Sequence, residues 1–309
     1  MTILGSSSAI PTTKRFPTAQ LLNVDERFFL IDCGEGAQIQ MSRFKLRAGK
    51  INHIFISHLH GDHIFGLFGL ISSFSLMGRV SDLNIYAEKR LDDILKSHLS
   101  YFGESLSFKI NLIPISASHS KLIYEDDKLT VTTIPLKHRV PCCGFLFREK
   151  MKPSNIRKEI LQSFNIPIKE MKRIKEGDDF VTEQGKIIPN SKLTIPPFKP
   201  RSYAYITDTR MLEKNIPLLQ DVDLLYHEAT FLEKDKELAH QTFHSTAKQA
   251  ATIAFKSNVC KLLVGHFSVR YKSSQSFVDE AITIFKETYA VEDGDCFSVE
   301  LERMKREDD

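Results

Sequence analysis

The sequence predicts an α/β fold in which two packed sheets are flanked by helices. Three observations lead there. Short apolar strands alternate with helical periodicities in both halves of the 309 residues. Each half carries several such strands, which suits layered sheets and not a helical bundle. Residues with the chemistry for a reaction stand just past strands, where loops gather at one edge of a sheet.

Taken in order, Arg27-Phe-Phe-Leu-Ile-Asp32 is a short apolar and aromatic run stopped by Gly34. Ile51 to Ser57 reads as a strand that runs into a polar turn, His58 to His63, where Gly61 allows a tight bend. A helical pattern follows, with apolar Ile64, Leu67, Phe68, Ile71 and Phe74. Lys128 to Ile134 alternates at period two, the mark of a half-buried strand. In the second half, Tyr203 to Thr207 and Asp223 to Tyr226 are strand-like. Thr246 to Phe255 is Ala-rich and helical, with Ser245 the expected N-cap. Lys261 to Val264 is a strand ending at Gly265-His266, and Gln275 to Tyr289 reads as a final amphipathic helix.

Residues 148–200 interrupt this alternation. Arg148 to Lys175 hold nine Lys/Arg against three Asp/Glu, a local net of +6, and Pro189, Pro196, Pro197 and Pro200 follow. The expectation is a single domain over residues 1–309 with 148–200 inserted as a basic arm and a Pro-rich return.

The totals narrow the class. Apolar residues make up 42% and charged residues 26%, ordinary for a globular chain and unlike a disordered one. The net charge of +3 does not by itself argue for nucleic acid. The five cysteines, Cys33, Cys142, Cys143, Cys260 and Cys296, are odd in number and show no Cys-x-x-Cys spacing. Reduced thiols in a cytoplasmic protein fit better than a disulfide framework or a cysteine zinc site. The start, Met1-Thr-Ile-Leu-Gly-Ser6, has no signal-peptide character, and no run of about 18 apolar residues suggests a membrane span.

The strongest signal is His58-Leu-His-Gly-Asp-His63, four potential metal ligands within six residues directly after a strand. Imidazole nitrogens with carboxylate oxygens suit Zn²⁺, and also Mn²⁺ or Fe²⁺. His58 and His60 point the same way if that stretch is extended. Asp62 and His63 then open a helix and address a second point. Strand ends elsewhere add His138, Asp208 and His266. The expected sets are His58, His60 and His138 for one ion and Asp62, His63 and His266 for the other. Asp208 would bridge them, because a carboxylate has two oxygens.

His-x-His-x-Asp-His resembles the signature of the metallo-β-lactamase superfamily, whose fold is a four-layer αββα sandwich. Further stretches are similar to the ribonuclease Z family, in that family's order and over nearly the whole chain. They are Leu4-Gly-Ser-Ser-Ser-Ala-Ile-Pro-Thr-Thr-Lys-Arg15, Asp32-Cys-Gly-Glu-Gly-Ala-Gln38, Asp208-Thr-Arg210, His227-Glu-Ala-Thr230, His244-Ser-Thr-Ala247 and His266-Phe-Ser-Val-Arg-Tyr271. The length resembles that of the family's short form. The chain departs from the family's habits at Asn165-Ile-Pro-Ile-Lys169, where a Gly-Pro turn is common, and at Ala37, Thr207 and Gly265, none of them a proposed ligand.

The resemblance implies an endoribonuclease with two zinc ions per subunit and no organic cofactor. It would remove the 3′ trailer from precursor tRNA by attack of a metal-bound hydroxide, leaving a 3′-hydroxyl on the tRNA and a 5′-phosphate on the trailer. Asp62 would orient and deprotonate the water, and His244, backed by Glu228, would protonate the leaving oxygen. His227 is a candidate donor behind a ligand. Arg270 is a candidate phosphate clamp, and Lys169, Lys172, Arg173 and Lys175 of the arm would hold tRNA phosphates by shape. The Pro11–Arg15 loop resembles the family element that senses the RNA 3′ end. A homodimer is implied as well. Two rival readings are a hydrolase of the same fold acting on a small phosphodiester and a non-catalytic zinc-containing RNA-binding factor.

Overall fold

β1 (Thr2–Gly5), β2 (Ala19–Val24), β3 (Arg27–Cys33), β4 (Ile51–Phe55), β5 (Leu83–Ala87) and β6 (Ile110–Pro114) lie side by side in that order in the computed structural model, which describes residues 1–102, 106–164 and 166–305. The first three are antiparallel neighbours and β3 to β6 run parallel. Parallel neighbours need crossovers. They are α1 (Ala37–Arg43), α2 (Gly61–Leu76) and α3 (Leu91–Phe102). Leu67, Ile71 and Phe74 of α2 and Leu91 and Leu95 of α3 bury against Leu30, Ile54 and Ile85 of the sheet. That stripe recurs every three to four residues, as a helix covering a sheet requires.

β7 (Leu122–Glu125), β8 (Leu129–Pro135) and β9 (Cys143–Glu149) come next. The chain then passes through β10 (Asn155–Ile156), α4 (Lys158–Phe164), α5 (Ile168–Glu176), β11 (Phe180–Val181), β12 (Ile187–Ile188), α6 (Asn190–Leu193) and β13 (Thr194–Ile195). It returns to β14 (Ser202–Ile206), α7 (Ile216–Leu219), β15 (Leu224–Glu228), α8 (Lys236–Thr242), α9 (Ala247–Lys256), β16 (Lys261–Gly265), α10 (Gln275–Ala281) and β17 (Thr288–Ala290). The second sheet has the order β17-β16-β15-β14-β9-β8-β7. Ala250, Ala251 and Ala254 of α9 and Phe277 and Ala281 of α10 bury against Leu225, Leu262 and Val264.

Two compact units are present. The first comprises Met1–Tyr124, Val131–Phe147 and Ser202–Ser298. Within it the two sheets face each other through aromatic rings: Phe55 of the first meets Phe145 of the second edge-on at 5.4 Å, and Phe29 meets Phe147 at 5.7 Å. Helices cover the outer face of each sheet, giving four layers, helix–sheet–sheet–helix. The second unit holds Glu125–Thr130, Arg148–Arg201 and the tail from Val299. It has its own small core of Ile166, Ile174, Phe180, Ile188 and Leu193. Asn165, part of the Asn165–Lys169 stretch, lies outside the described residues.

Three sequence expectations change. Thr246, not Ser245, caps α9: its side chain accepts from Gln249 N and Gln249 reaches back, a capping box. Ser245 Oγ instead donates to the Thr209 carbonyl at 2.7 Å. The final helix ends at Ala281, and Thr288–Ala290 becomes an edge strand parallel to β16. Its periodicity was real, but strand pairing wins where the chain reaches the sheet edge. Gly61 makes no bend of its own, because it is the first residue of α2 and has no positive φ. The glycines that place α2 are Gly34 and Gly66. A Cβ on Gly66 would fall 2.1 Å from the Gly34 carbonyl oxygen.

Candidate metal centre

The parallel register of β14, β15 and β16 brings their C-terminal ends level, with Ile206 beside His227 and Glu228 beside Gly265. Asp208, Glu228 and His266 therefore leave the sheet at one edge, where open α/β sheets place their ligands. His266 has φ +61°, which turns the chain at the end of β16. From the other sheet, β4 ends three residues before His58, and His60 is extended just ahead of α2. Asp62 occupies the first turn of α2, where the helix N-terminus favours a negative charge.

The expected ligands meet as two groups, and a third, of Asp208, His244 and His266, overlaps them. His58, His60, His138 and Asp208 offer ligand atoms within 4.8 Å of one another, and so do Asp62, His63 and His266. In the first group His60 Nδ1 lies 2.9 Å from His58 Nε2 and 3.2 Å from His138 Nε2. Asp208 faces both groups. Its Oδ2 is 3.7 Å from His58 Nε2 and 3.6 Å from His138 Nε2, while its Oδ1 is 3.4 Å from His63 Nε2 and 3.1 Å from His266 Nε2. A tetrahedral zinc with arms of about 2.0–2.1 Å would hold its donors about 3.3 Å apart, so these spacings suit one ion in each group.

Hydrogen bonds behind the rings favour the same use. Buried Asp32 accepts from Ser57 N (2.7 Å), Ser57 Oγ (2.8 Å), Tyr205 Oη (2.7 Å) and His63 Nδ1 (2.7 Å). Ser57 Oγ, having donated to Asp32, accepts from His58 Nδ1 at 3.0 Å. His138 Nδ1 donates to the Phe243 carbonyl at 3.2 Å. With Nδ1 of His58, His63 and His138 engaged in this way, their Nε2 atoms face the shared space, which His60 enters through Nδ1. His63 Nε2 and His266 Nε2 are buried and make no hydrogen bond among the described residues. Buried polar atoms without partners call for an explanation, and a cation supplies one.

Charge points the same way. Burial alone would raise the Asp62 and Asp208 carboxyls, but His63 and His266 beside them hold both below the usual carboxylate range. Burial would also discharge His63, yet the Asp62, Asp32 and Asp208 carboxylates keep it charged well above its ordinary value. That pocket stabilises positive charge, whether proton or metal. His58, by contrast, is pushed well down by burial and by the neighbouring His63.

Beside the two groups stands His244, its ring 5.2 Å from that of His138 and 5.5 Å from that of His266. Its Nδ1 lies 3.0 Å from Glu228 Oε1. Burial works against charge on His244, but the Glu228 carboxylate outweighs it and pushes the imidazole up to about 9. His227 is elsewhere engaged, donating from Nδ1 to the Glu228 carbonyl at 2.7 Å. Arg270 lies over the Phe231 ring at 5.4 Å, and Phe231 in turn is 6.1 Å from the His244 ring. The Thr12–Arg15 loop, Phe267 and Lys272 line a cleft of 550 Å³. Arg15 is clamped there by both oxygens of Glu292, at 2.7 and 2.8 Å.

The arm residues fall in the second unit. Lys169, Lys172, Arg173 and Lys175 are exposed on α5, opposite buried Ile174. Arg173 is paired with Asp178 at 2.9 Å and Glu170 at 3.4 Å, so its charge is partly matched. Sequence reasoning passed over Asp32 and Ser57, which hold the rings from behind. A carboxylate closing an apolar strand was the available signal for Asp32.

A family described as Anti-Pycsar protein Apyc1 matches residues 1–155, a span that stops short of Asp208, Glu228, His244 and His266. Ribonuclease Z of Bacteroides fragilis is 46% identical over 297 residues, covering 96% of this chain and 98% of the relative. Human tRNase Z, short form, is 26% identical with a TM-score of 0.70, covering 97% of this chain and 98% of that one. A metallo-beta-lactamase fold protein from Bacillus subtilis has a TM-score of 0.65 at 18% identity, covering 95% of this chain and 96% of that one. The expected four-layer metallo-β-lactamase sandwich is the fold observed.

Proposed function

The chain belongs to the ribonuclease Z family of endoribonucleases, and from that premise we propose that it removes the 3′ trailer from precursor tRNA with two zinc ions per subunit. The observation that carries this reading is the Asp208 carboxylate, with one oxygen toward His58 and His138 and the other toward His63 and His266. His58, His60 and His138 would hold one ion, Asp62, His63 and His266 the other, and Asp208 both. When bound, such a pair neutralises a phosphodiester, lowers the pKa of a water and stabilises the leaving oxygen.

The chain's own groups do the rest. Asp62 orients the attacking water and takes its proton, and the Ala9 N–H holds Asp62 Oδ2 at 2.9 Å. His244 stands ready to protonate the 3′ oxygen as it leaves. Glu228 fixes the His244 proton on Nδ1 through the 3.0 Å contact, so the transferable proton sits on Nε2. The products are a tRNA with a 3′-hydroxyl and a trailer with a 5′-phosphate.

Arg270 and the cleft bearing Lys14 and Lys272 supply positive charge for the RNA near the site. Lys169, Lys172, Arg173 and Lys175 of the inserted arm, residues 148–200 of a single domain, bind tRNA phosphates. The protein acts in the cytoplasm as a homodimer. Among the described residues no helix is long and apolar enough to cross a membrane. Exposed Phe65 and Leu76 of α2, with Met77 and Val80 after it, leave apolar surface for a second copy.

A second reading is a small-phosphodiester hydrolase of the same fold, but similarity to ribonuclease Z runs through both halves of the chain. Incubation with a 3′-extended tRNA transcript, beside a small phosphodiester, tests the choice. Cleavage of the transcript with a 3′-hydroxyl on the tRNA side is expected. Turnover of the small ester alone would overturn the reading.

A further inference from the structure

Glu228 is fully buried and receives hydrogen bonds on both oxygens. Oε1 accepts from Thr209 N (3.0 Å), Ser245 N (3.1 Å) and His244 Nδ1 (3.0 Å). Oε2 accepts from Thr230 N (2.9 Å) and Thr230 Oγ1 (2.8 Å). A carboxylate surrounded by donors stays ionised and only accepts. The single hydroxyl proton of Thr230 therefore goes to Glu228, and its oxygen presents lone pairs to whatever else approaches.

Two imidazole nitrogens approach. His244 Nδ1 lies 3.2 Å from Thr230 Oγ1, but it already has Glu228 Oε1. His266 Nδ1 lies 2.9 Å away, and among the described residues Thr230 is its hydrogen-bond partner. The His266 proton then sits on Nδ1, which leaves a lone pair on Nε2. That nitrogen is buried, makes no hydrogen bond among the described residues, and faces Asp208 Oδ1 at 3.1 Å and Asp62 Oδ2 at 3.7 Å.

We propose that Thr230 is a positioning residue that fixes the His266 tautomer for metal binding and ties that ligand to the Glu228–His244 pair through one hydroxyl. The proposal rests on the reading of His266 as a ligand. Without the hydroxyl, the buried Nδ1–H loses its acceptor, or the proton moves to Nε2 and blocks the lone pair. Either outcome weakens the group formed by Asp62, His63 and His266. The group formed by His58, His60 and His138 is anchored through Ser57, Asp32 and the Phe243 carbonyl, and is spared.

The test compares wild type, Thr230→Val and Thr230→Ser by zinc content after dialysis and by titration against a competing chelator. Val keeps the shape and removes the hydroxyl, and Ser keeps the hydroxyl. Wild type is expected to hold two tight equivalents. Thr230→Val should hold one, with the other weakened about 10–100-fold, and its kcat on precursor should fall while KM stays. Thr230→Ser should recover the second equivalent. Two tight equivalents in Thr230→Val, or a Ser variant as loose as Val, would overturn the proposal alone. If Thr230→Val shows no thermal unfolding transition, Ser against Ala carries the test: retention by Ser and loss by Ala supports it, and equal affinity overturns it. A wild type without two equivalents would overturn the underlying reading, and this proposal with it.

Discussion

His244 Nδ1 lies 3.0 Å from Glu228 Oε1, and that carboxylate is wholly buried. A buried carboxylate behind an imidazole sets both its tautomer and its charge. Glu228→Gln keeps the shape and removes the charge. It should lower kcat on precursor tRNA by about 10²-fold with little change in KM, read by steady-state kinetics. An unchanged kcat would remove His244 from the proton-transfer role.

The arm predicts a split between substrates. Replacing Lys169, Lys172, Arg173 and Lys175 together by Ala should raise KM for precursor tRNA and flatten its dependence on salt, with each lost phosphate contact reducing the salt slope by about one. Cleavage of a small phosphodiester should survive. Arg173 should contribute least, because Asp178 and Glu170 already pair with it. Equal loss on both substrates would contradict the assignment.

Arg201 grips Glu149 with Nη2 at 2.7 Å and Nε at 3.0 Å. Burial alone would raise the Glu149 carboxyl, but the guanidinium holds it below its ordinary value. A group depressed in the folded state stabilises above its unfolded pKa, about 4.3, and that contribution is lost as pH falls through the folded value. Glu149→Gln should therefore lower stability near neutrality and make the loss between pH 5 and 3 shallower, read by denaturant titration across that range. An unchanged acid limb would contradict this.

Gly66 sits inside α2, where Ala is intrinsically favoured by about 1 kcal/mol. The close approach of the Gly34 carbonyl reverses the sign. Gly66→Ala should destabilise by about 1–3 kcal/mol, a drop in Tm measurable by calorimetry. It should also weaken metal retention, because Asp62 and His63 ride on the first turn of the displaced helix.

His58 to His63 stood out in the sequence because four candidate ligands crowd one short stretch after a strand. Asp208 and His266 were legible as polar residues just past strands, and the structure brings both to the cluster. Asp32 and Thr230 were not, because their importance lies in what they touch across the fold: Asp32 meets Tyr205 and Thr230 meets His266. The strands of the first half between Leu83 and Pro114 went unremarked, since short apolar runs look alike before pairing is known. The Ser245–Thr246 shift is a boundary effect of one residue, decided by Gln249. Charge counting over Arg148–Lys175 overstated the arm, because it stopped just before Glu176, Asp178 and Asp179.

The most direct test of the whole account is Asp208→Ala, assayed for bound zinc and for trailer removal on the same preparation. Loss of tight binding of both ions, with cleavage reduced by more than about 10³-fold in a protein that still unfolds cooperatively, is the predicted result. Two ions retained, or precursor processed at the wild-type rate, would contradict it.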